Sequence, residues 1–122
     1  MPKFIEMDVT VALADQLRTD EGPVVLINTF VVPPEEADRF LAAWSADAAI
    51  MKAQPGFIST QLHRGIAGSG TFLNYAVWQS VASFRAAFAN PAFRARLGDY
   101  PETATVSPHL FRKVEVPGIC VS

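Results

Sequence analysis

Residues 23–32, PVVLINTFVV, carry the clearest pattern in the first part of the chain. The run is rich in β-branched and aromatic residues and apolar on both faces, which predicts a strand covered on both sides. One face holds Val24, Leu26, Asn28, Phe30 and Val32, with Asn28 its only polar member. The period then changes. Pro33-Pro34-Glu35-Glu36 suits a helix start, because proline fits the first turn and glutamates favour its positive end. Ala37, Phe40, Leu41, Trp44, Ala48 and Met51 recur at three- and four-residue spacing as one apolar stripe, with Asp38, Arg39, Ser45 and Asp47 expected off it. Pro55-Gly56 ends this helix. Phe57 to Arg64 alternates as a half-buried strand, and the glycine-rich stretch Gly65 to Gly70 reads as a hairpin loop. Thr71 to Gln79 is a further strand, with Phe72, Asn74, Ala76 and Trp78 on one face and Leu73, Tyr75 and Val77 on the other. Ser80 is placed to cap a helix through Ala89 with Phe84, Ala87 and Phe88 inward. Asn90-Pro91 breaks it, and a short helical piece follows with Phe93 and Leu97 inward. Residues 103–116 return to the sheet, with Leu110, Phe111, Val114 and Val116 expected to be buried.

The order strand, helix, strand, strand, helix, strand predicts an α+β fold, a ferredoxin-like split βαβ with an antiparallel sheet, over residues 23–122. Residues 1–22 read as an N-terminal extension. Asp8 to Leu13 is expected as a short strand or arm, and a polar connector follows, ending at Gly22. At 122 residues, half of them apolar and 18% charged, one packed domain is expected. The apolar share is high for so small a chain, so some of it is expected to face a partner chain or a ligand. A single helix layer covers only one sheet face, which predicts a homodimer.

Charge and cysteine content remove several classes. A net charge of −2 offers no basic field for nucleic acid. No apolar stretch approaches the roughly 20 residues of a membrane span, and acidic residues stand where a signal peptide would be apolar. The lone Cys120 is compatible with a reducing cytoplasm and forms no intramolecular disulfide. It is read as non-catalytic. His63 and His109 lie far apart on different strands with no metal-ligand spacing, so no metal is expected. The Gly65 to Gly70 loop joins two strands and does not open a helix, unlike a dinucleotide cradle. No GxSxG elbow is present. What remains is Asn28, Asn74 and Trp78, polar groups on otherwise apolar strands. Asparagine is disfavoured in strands and costly to bury unpaired. Either these side chains pair with neighbouring backbone, with Trp78 as core, or they serve a ligand.

The segment from Val24 to Phe93 resembles the antibiotic biosynthesis monooxygenase family. Four pieces carry the likeness in order: Ile27-Asn28-Thr29-Phe30, Gln54-Pro55-Gly56-Phe57, Asn74-Tyr75-Ala76-Val77-Trp78, and Phe84 with Asn90-Pro91-Ala92-Phe93. The resemblance implies a dimeric α/β barrel with a ligand cavity between sheet and helices in each subunit. It also implies oxidation of an aromatic polyketide or hydroxyarene, anthrone to quinone, by molecular oxygen without flavin, haem or metal. Asn28, Asn74 and Trp78 are then the catalytic set, and Phe30, Trp44, Phe72, Phe84 and Phe88 the walls for a flat substrate. Phe84 stands where members carry tyrosine, and Arg94 or Arg96 falls near a basic position of some members. Other members degrade haem, oxidise quinols or have no known reaction. Haem-degrading members need a tryptophan and a histidine near positions held here by Ala87 and Leu97, which counts against that activity. A non-catalytic barrel that binds an aromatic metabolite is the other alternative.

Overall fold

The computed structural model of the chain describes residues 1–121. In chain order the elements are β1 (Lys3–Phe4), α1 (Leu13–Gln16), β2 (Val24–Val31), α2 (Ala37–Lys52), β3 (Phe57–Arg64), β4 (Thr71–Trp78), α3 (Val81–Phe88), α4 (Pro91–Arg96) and β5 (Thr105–Phe111). The five strands form one sheet in the order β1-β5-β2-β4-β3. β2 runs antiparallel to both β4 and β5, and β4 antiparallel to β3. α2 therefore carries the chain from β2 past β4 to β3, and α3 with α4 carries it from β4 past β2 to β5. This is the split βαβ, ferredoxin-like α+β arrangement.

Local chemistry sets the joints. A 3-10 turn at Pro34–Glu36 leads into α2. Ser80 caps α3 by accepting the Ser83 N–H at 3.1 Å, and Asn90 caps α4 by accepting the Ala92 N–H at 2.8 Å, with Pro91 in the first turn. Gly56 closes the α2-to-β3 turn at φ +86°, where a Cβ would come within 2.4 Å of the Ser83 Cβ.

The N-terminal extension joins the sheet differently from expectation. Asp8 to Leu13 forms no strand. Asp8 instead accepts the Thr10 N–H and hydroxyl at 2.8 and 2.7 Å, a local turn that competes with extended pairing, and Leu13 opens α1. The strand is Lys3–Phe4, paired parallel to β5. Farther along β5, the Gln16 side chain does a strand's work: it accepts the Leu110 N–H and donates to the Leu110 carbonyl, both at 2.9 Å. The Leu110 N–H thus points away from β2. By alternation Pro108 faces the same way, so its missing N–H removes no bond to β2.

β5 ends sooner than the sequence pattern suggests. Leu110 is buried, but Phe111, Val114 and Val116 are exposed. Phe111 falls on the opposite sheet face from Leu110, and the other two follow the strand's end. The core lies on the helix side in two clusters. One groups Phe30, Phe40, Phe72, Tyr100 and Ala104; the other groups Leu13, Leu26, Ala76, Trp78, Val81 and Phe84.

Candidate active site

A cavity of about 500 Å³ lies on the helix side of the sheet, within the size range of small-molecule sites. β2, β4 and β5 floor it through Leu26, Asn28, Phe30, Asn74, Ala76, Trp78, Val106 and Pro108. The second half of α2 supplies Trp44, Asp47, Ala48 and Met51, while α3 and α4 supply Phe84, Phe88, Phe93 and Arg94. Phe4, Leu13 and Leu17 of the N-terminal extension close another side.

Asn28 and Asn74 face each other directly across the β2–β4 ladder, a pairing that sets Cβ atoms about 4.5–5.5 Å apart. Their carbonyl ends are tied down. Asn28 Oδ1 accepts the Ser107 N–H at 3.1 Å, and Asn74 Oδ1 accepts the Thr60 hydroxyl at 2.5 Å. A backbone N–H only donates, so the Asn28 amide is fixed with its oxygen toward Ser107. Neither amide nitrogen has a partner among the described residues, so two adjacent N–H donors are left to the cavity.

Trp78 lies on the same face of β4 and is 1% exposed. Its ring packs edge-on against Phe57 and Phe84, at centroid distances of 5.4 and 5.7 Å. Its indole N–H is buried with no hydrogen-bond partner among the described residues. Phe84 continues into Phe88 at 5.4 Å and Phe88 into Phe93 at 5.5 Å, forming an aromatic wall.

Seven of the eight residues singled out from the sequence border the cavity: Asn28, Phe30, Trp44, Asn74, Trp78, Phe84 and Phe88. Phe72 does not. It is buried under α2 against Phe40, with centroids 4.6 Å apart, because that end of the sheet is roofed directly by the start of the helix. Between the two arginines, Arg94 lines the cavity, its guanidinium 4.8 Å from the Phe88 ring centre. Arg96 instead pairs with Asp99 at 3.3 Å. His63 is exposed on β3, whereas His109 is buried on β5 beside Gln16. Among the described residues no group of three or more His, Cys, Asp or Glu is placed to hold a metal, and no helix is long and apolar enough to cross a membrane.

Asp47 overturns its expected place off the helix stripe. It is 4% exposed, and both carboxylate oxygens are buried without a hydrogen-bond partner among the described residues. Burial raises its pKa to about 6; the facing Tyr100 phenol works against that rise, Asp99 adds to it and Arg96 opposes it. Tyr100, itself buried in the wall, is raised above its ordinary pKa by burial and by Asp47, so it stays a phenol and a donor. A signal for Asp47 was present in the sequence. At about 100° per residue it stands seven positions after Phe40 and four before Met51, in line with both.

Residues 23–96 match the antibiotic biosynthesis monooxygenase family, and the chain belongs to that family. It is similar to deoxynogalonate monooxygenase of Streptomyces nogalater, 34% identical over 74 residues that cover 61% of this chain and 62% of that protein's length. Among solved structures, SnoaB, a cofactor-independent oxygenase from Streptomyces nogalater, superposes with a TM-score of 0.70 at 27% identity, covering 80% of this chain and 99% of that one. A candidate monooxygenase from Shewanella loihica PV-4 gives a TM-score of 0.67 at 35% identity, with the same coverage.

Proposed function

We propose that the chain is a cofactor-independent monooxygenase that oxidises an anthrone-type hydroxyarene to a quinone with molecular oxygen. The observation that carries this reading is the pair of unpartnered amide N–H groups of Asn28 and Asn74 in an aromatic cavity that also has the idle indole N–H of Trp78 in its wall, about 13 Å along the same face of β4. An anthrone that loses a proton becomes an extended enolate, electron-rich enough to reduce oxygen by one electron. The radical pair combines to a peroxide, and loss of water yields the quinone. Electrons come from the substrate, so no redox cofactor is required. The protein must stabilise the oxyanion, hold the ring system and exclude water. The Asn28 and Asn74 amides are donors for the oxyanion; one such fixed donor is often worth about 10²–10³ in rate. Trp78 Nε1–H is a donor for the peroxide or a substrate oxygen. Trp44, Phe84 and Phe88 sandwich a flat polycycle. The likeness to a cofactor-independent oxygenase supports the reading.

The decisive measurement is oxygen consumption with 1,8-dihydroxyanthrone by protein freed of metal with a chelator and given no flavin. Quinone should form in step with oxygen uptake. Absence of turnover with tight binding of the corresponding anthraquinone would favour a metabolite-binding barrel instead.

The reading includes a homodimer. The sheet face opposite the helices carries Ile27, Leu73 and Val77, all part-buried, and Tyr75, which is 40% exposed, and among the described residues no helix packs over them. Burying such a face against a second copy removes these side chains from water, in the self-complementary way a two-fold dimer requires. Light scattering at micromolar concentration should give twice the chain mass, and a monomer would count against the dimer.

A further inference from the structure

One ionisable group in the cavity wall has no part in the chemistry above. Asp47 sits on the inner stripe of α2, in line with Phe40 and Met51, where an apolar residue is the usual occupant. Its carboxylate is instead withdrawn from water, and the Tyr100 phenol is the donor that faces it. A buried carboxylate with no cation against it is expensive to folding. The same cavity holds a second idle group of opposite kind, the Trp78 indole N–H. A ligand that satisfies both brings an oxygen acceptor to Trp78 and an acidic hydrogen to Asp47. A ketone-bearing hydroxyarene has both. The terminal torsion of aspartate is broad, so rotation about Cβ–Cγ turns an oxygen toward the cavity with no backbone movement.

We propose that Asp47 is the catalytic base of this site, accepting the proton whose loss makes the substrate an oxygen-reactive anion. This rests on the oxygenase reading above. In the first step a methylene C–H bond breaks, its electron pair stays on the ring system as the enolate, and an Asp47 oxygen gains the proton. The enolate gives one electron to oxygen, and the carbon radical and superoxide join in a C–O bond. Asp47 returns its proton to the terminal peroxide oxygen. Asp47 then removes the remaining hydrogen of the same carbon, the O–O bond breaks, and hydroxide departs with that proton as water. The carbon ends as a ketone, oxidised by four electrons, and the oxygen molecule is divided between ketone and water.

The surroundings suit the task. A base works best when its pKa lies near the working pH, and burial has brought Asp47 to about 6, ionised at neutrality yet far more basic than an exposed aspartate. The groups that bear on it are the Tyr100 phenol, which stays protonated, and the Arg96–Asp99 pair at the end of α4. Arg94 lines the same cavity, stacked on Phe88.

The test compares wild type with Asp47→Asn and Asp47→Ala by oxygen consumption on 1,8-dihydroxyanthrone from pH 5 to 9, with thermal melts of each protein. Asp47→Asn keeps the shape and removes the base. It should lower kcat at pH 7 by about a hundredfold, the ordinary scale of general base catalysis. The wild-type fall in rate below about pH 6 should vanish in this variant. The gap should narrow at high pH as the substrate ionises unaided, and added formate should partly restore Asp47→Ala. Melting at pH 7 should not fall in Asp47→Asn. An active wild type whose Asp47→Asn variant keeps its kcat and its acid limb overturns the role of Asp47 alone. A loss of kcat that tracks a loss of melting temperature, with the pH profile unchanged, also overturns it and makes Asp47 structural. A wild type that consumes no oxygen overturns the oxygenase reading, and the role of Asp47 with it.

Discussion

Two neighbouring rows of the same sheet face have opposite fates. In one, Phe30 of β2 stands opposite Phe72 of β4, and both are buried under Phe40, with ring centroids 4.9 and 4.6 Å from it. In the next, two residues or about 6–7 Å along the strands, Asn28 stands opposite Asn74 and the same face opens onto the cavity. The helix above changes in step. Phe40 fills the first row, while Asp47 and Ala48, two turns later, leave the second unfilled. Core and site therefore share strands, face and covering helix. They differ in side-chain volume and in whether polar groups are satisfied. Around the phenylalanine row the contacts are ring against ring, with the Arg64 guanidinium lying over Phe72 at 5.1 Å. Around the asparagine row the protein ties down the amide oxygens and leaves donors idle. The contrast shows that this scaffold makes a site by withholding volume and hydrogen-bond partners in one row, with its regular backbone ladder intact.

The largest effect is expected where the packed row is broken. Phe40→Ala should cost about 3–5 kcal/mol, the usual range for a buried phenylalanine, read as a lowered urea midpoint. A loss under about 1 kcal/mol would mean that this row is not close-packed. In the open row the pattern should reverse. Asn74→Ala and Trp78→Phe should lower turnover of an anthrone-type substrate at least about tenfold, or 1.4 kcal/mol, and Asn28→Ala should weaken it too. Melting should move by only a few degrees, since Trp78→Phe keeps an aromatic body and removes the N–H. Stable variants with unchanged kinetics would remove these three side chains from the site.

The smallest effect concerns Asp47 and pH. Its folded pKa, about 6, lies above its ordinary value of 3.8, so the stability linked to its protonation is fully present below about pH 4 and lost as pH rises through 6. Asp47→Asn removes that dependence. Relative to wild type, the variant should gain on the order of 1–2 kcal/mol between pH 4 and pH 7, allowing for solvent screening. Parallel stability curves for the two proteins would show that the carboxyl is not desolvated.

Much of the fold was legible because its signals are local. The change of period at Pro33, the Ser80 and Asn90 caps and the alternation from Thr71 to Trp78 each follow from residues a few positions apart. The two asparagines were legible as exceptions to strand composition. Phe72 looks like its cavity-lining neighbours in sequence because all share one strand face, and only the packing of Phe40 of α2 against it separates core from wall. Asp47 faces inward because its helical phase, and not its charge, sets where its side chain leaves α2. The N-terminal extension was opaque for a related reason: two strand residues and one glutamine amide reach β5 across nearly the whole chain, and no local pattern marks such contacts.

The sequence by itself determined the order and kind of the elements from Val24 onward, since helix and strand periods and caps are short-range properties of the chain. Only the tertiary structure decided that Asn28 and Asn74 lie side by side and that Asp47 and Tyr100 share their cavity. It also set Arg94, and not Arg96, in that wall. Those juxtapositions depend on register between distant strands and on the path of helices over the sheet, which are fixed when the whole apolar surface is buried at once.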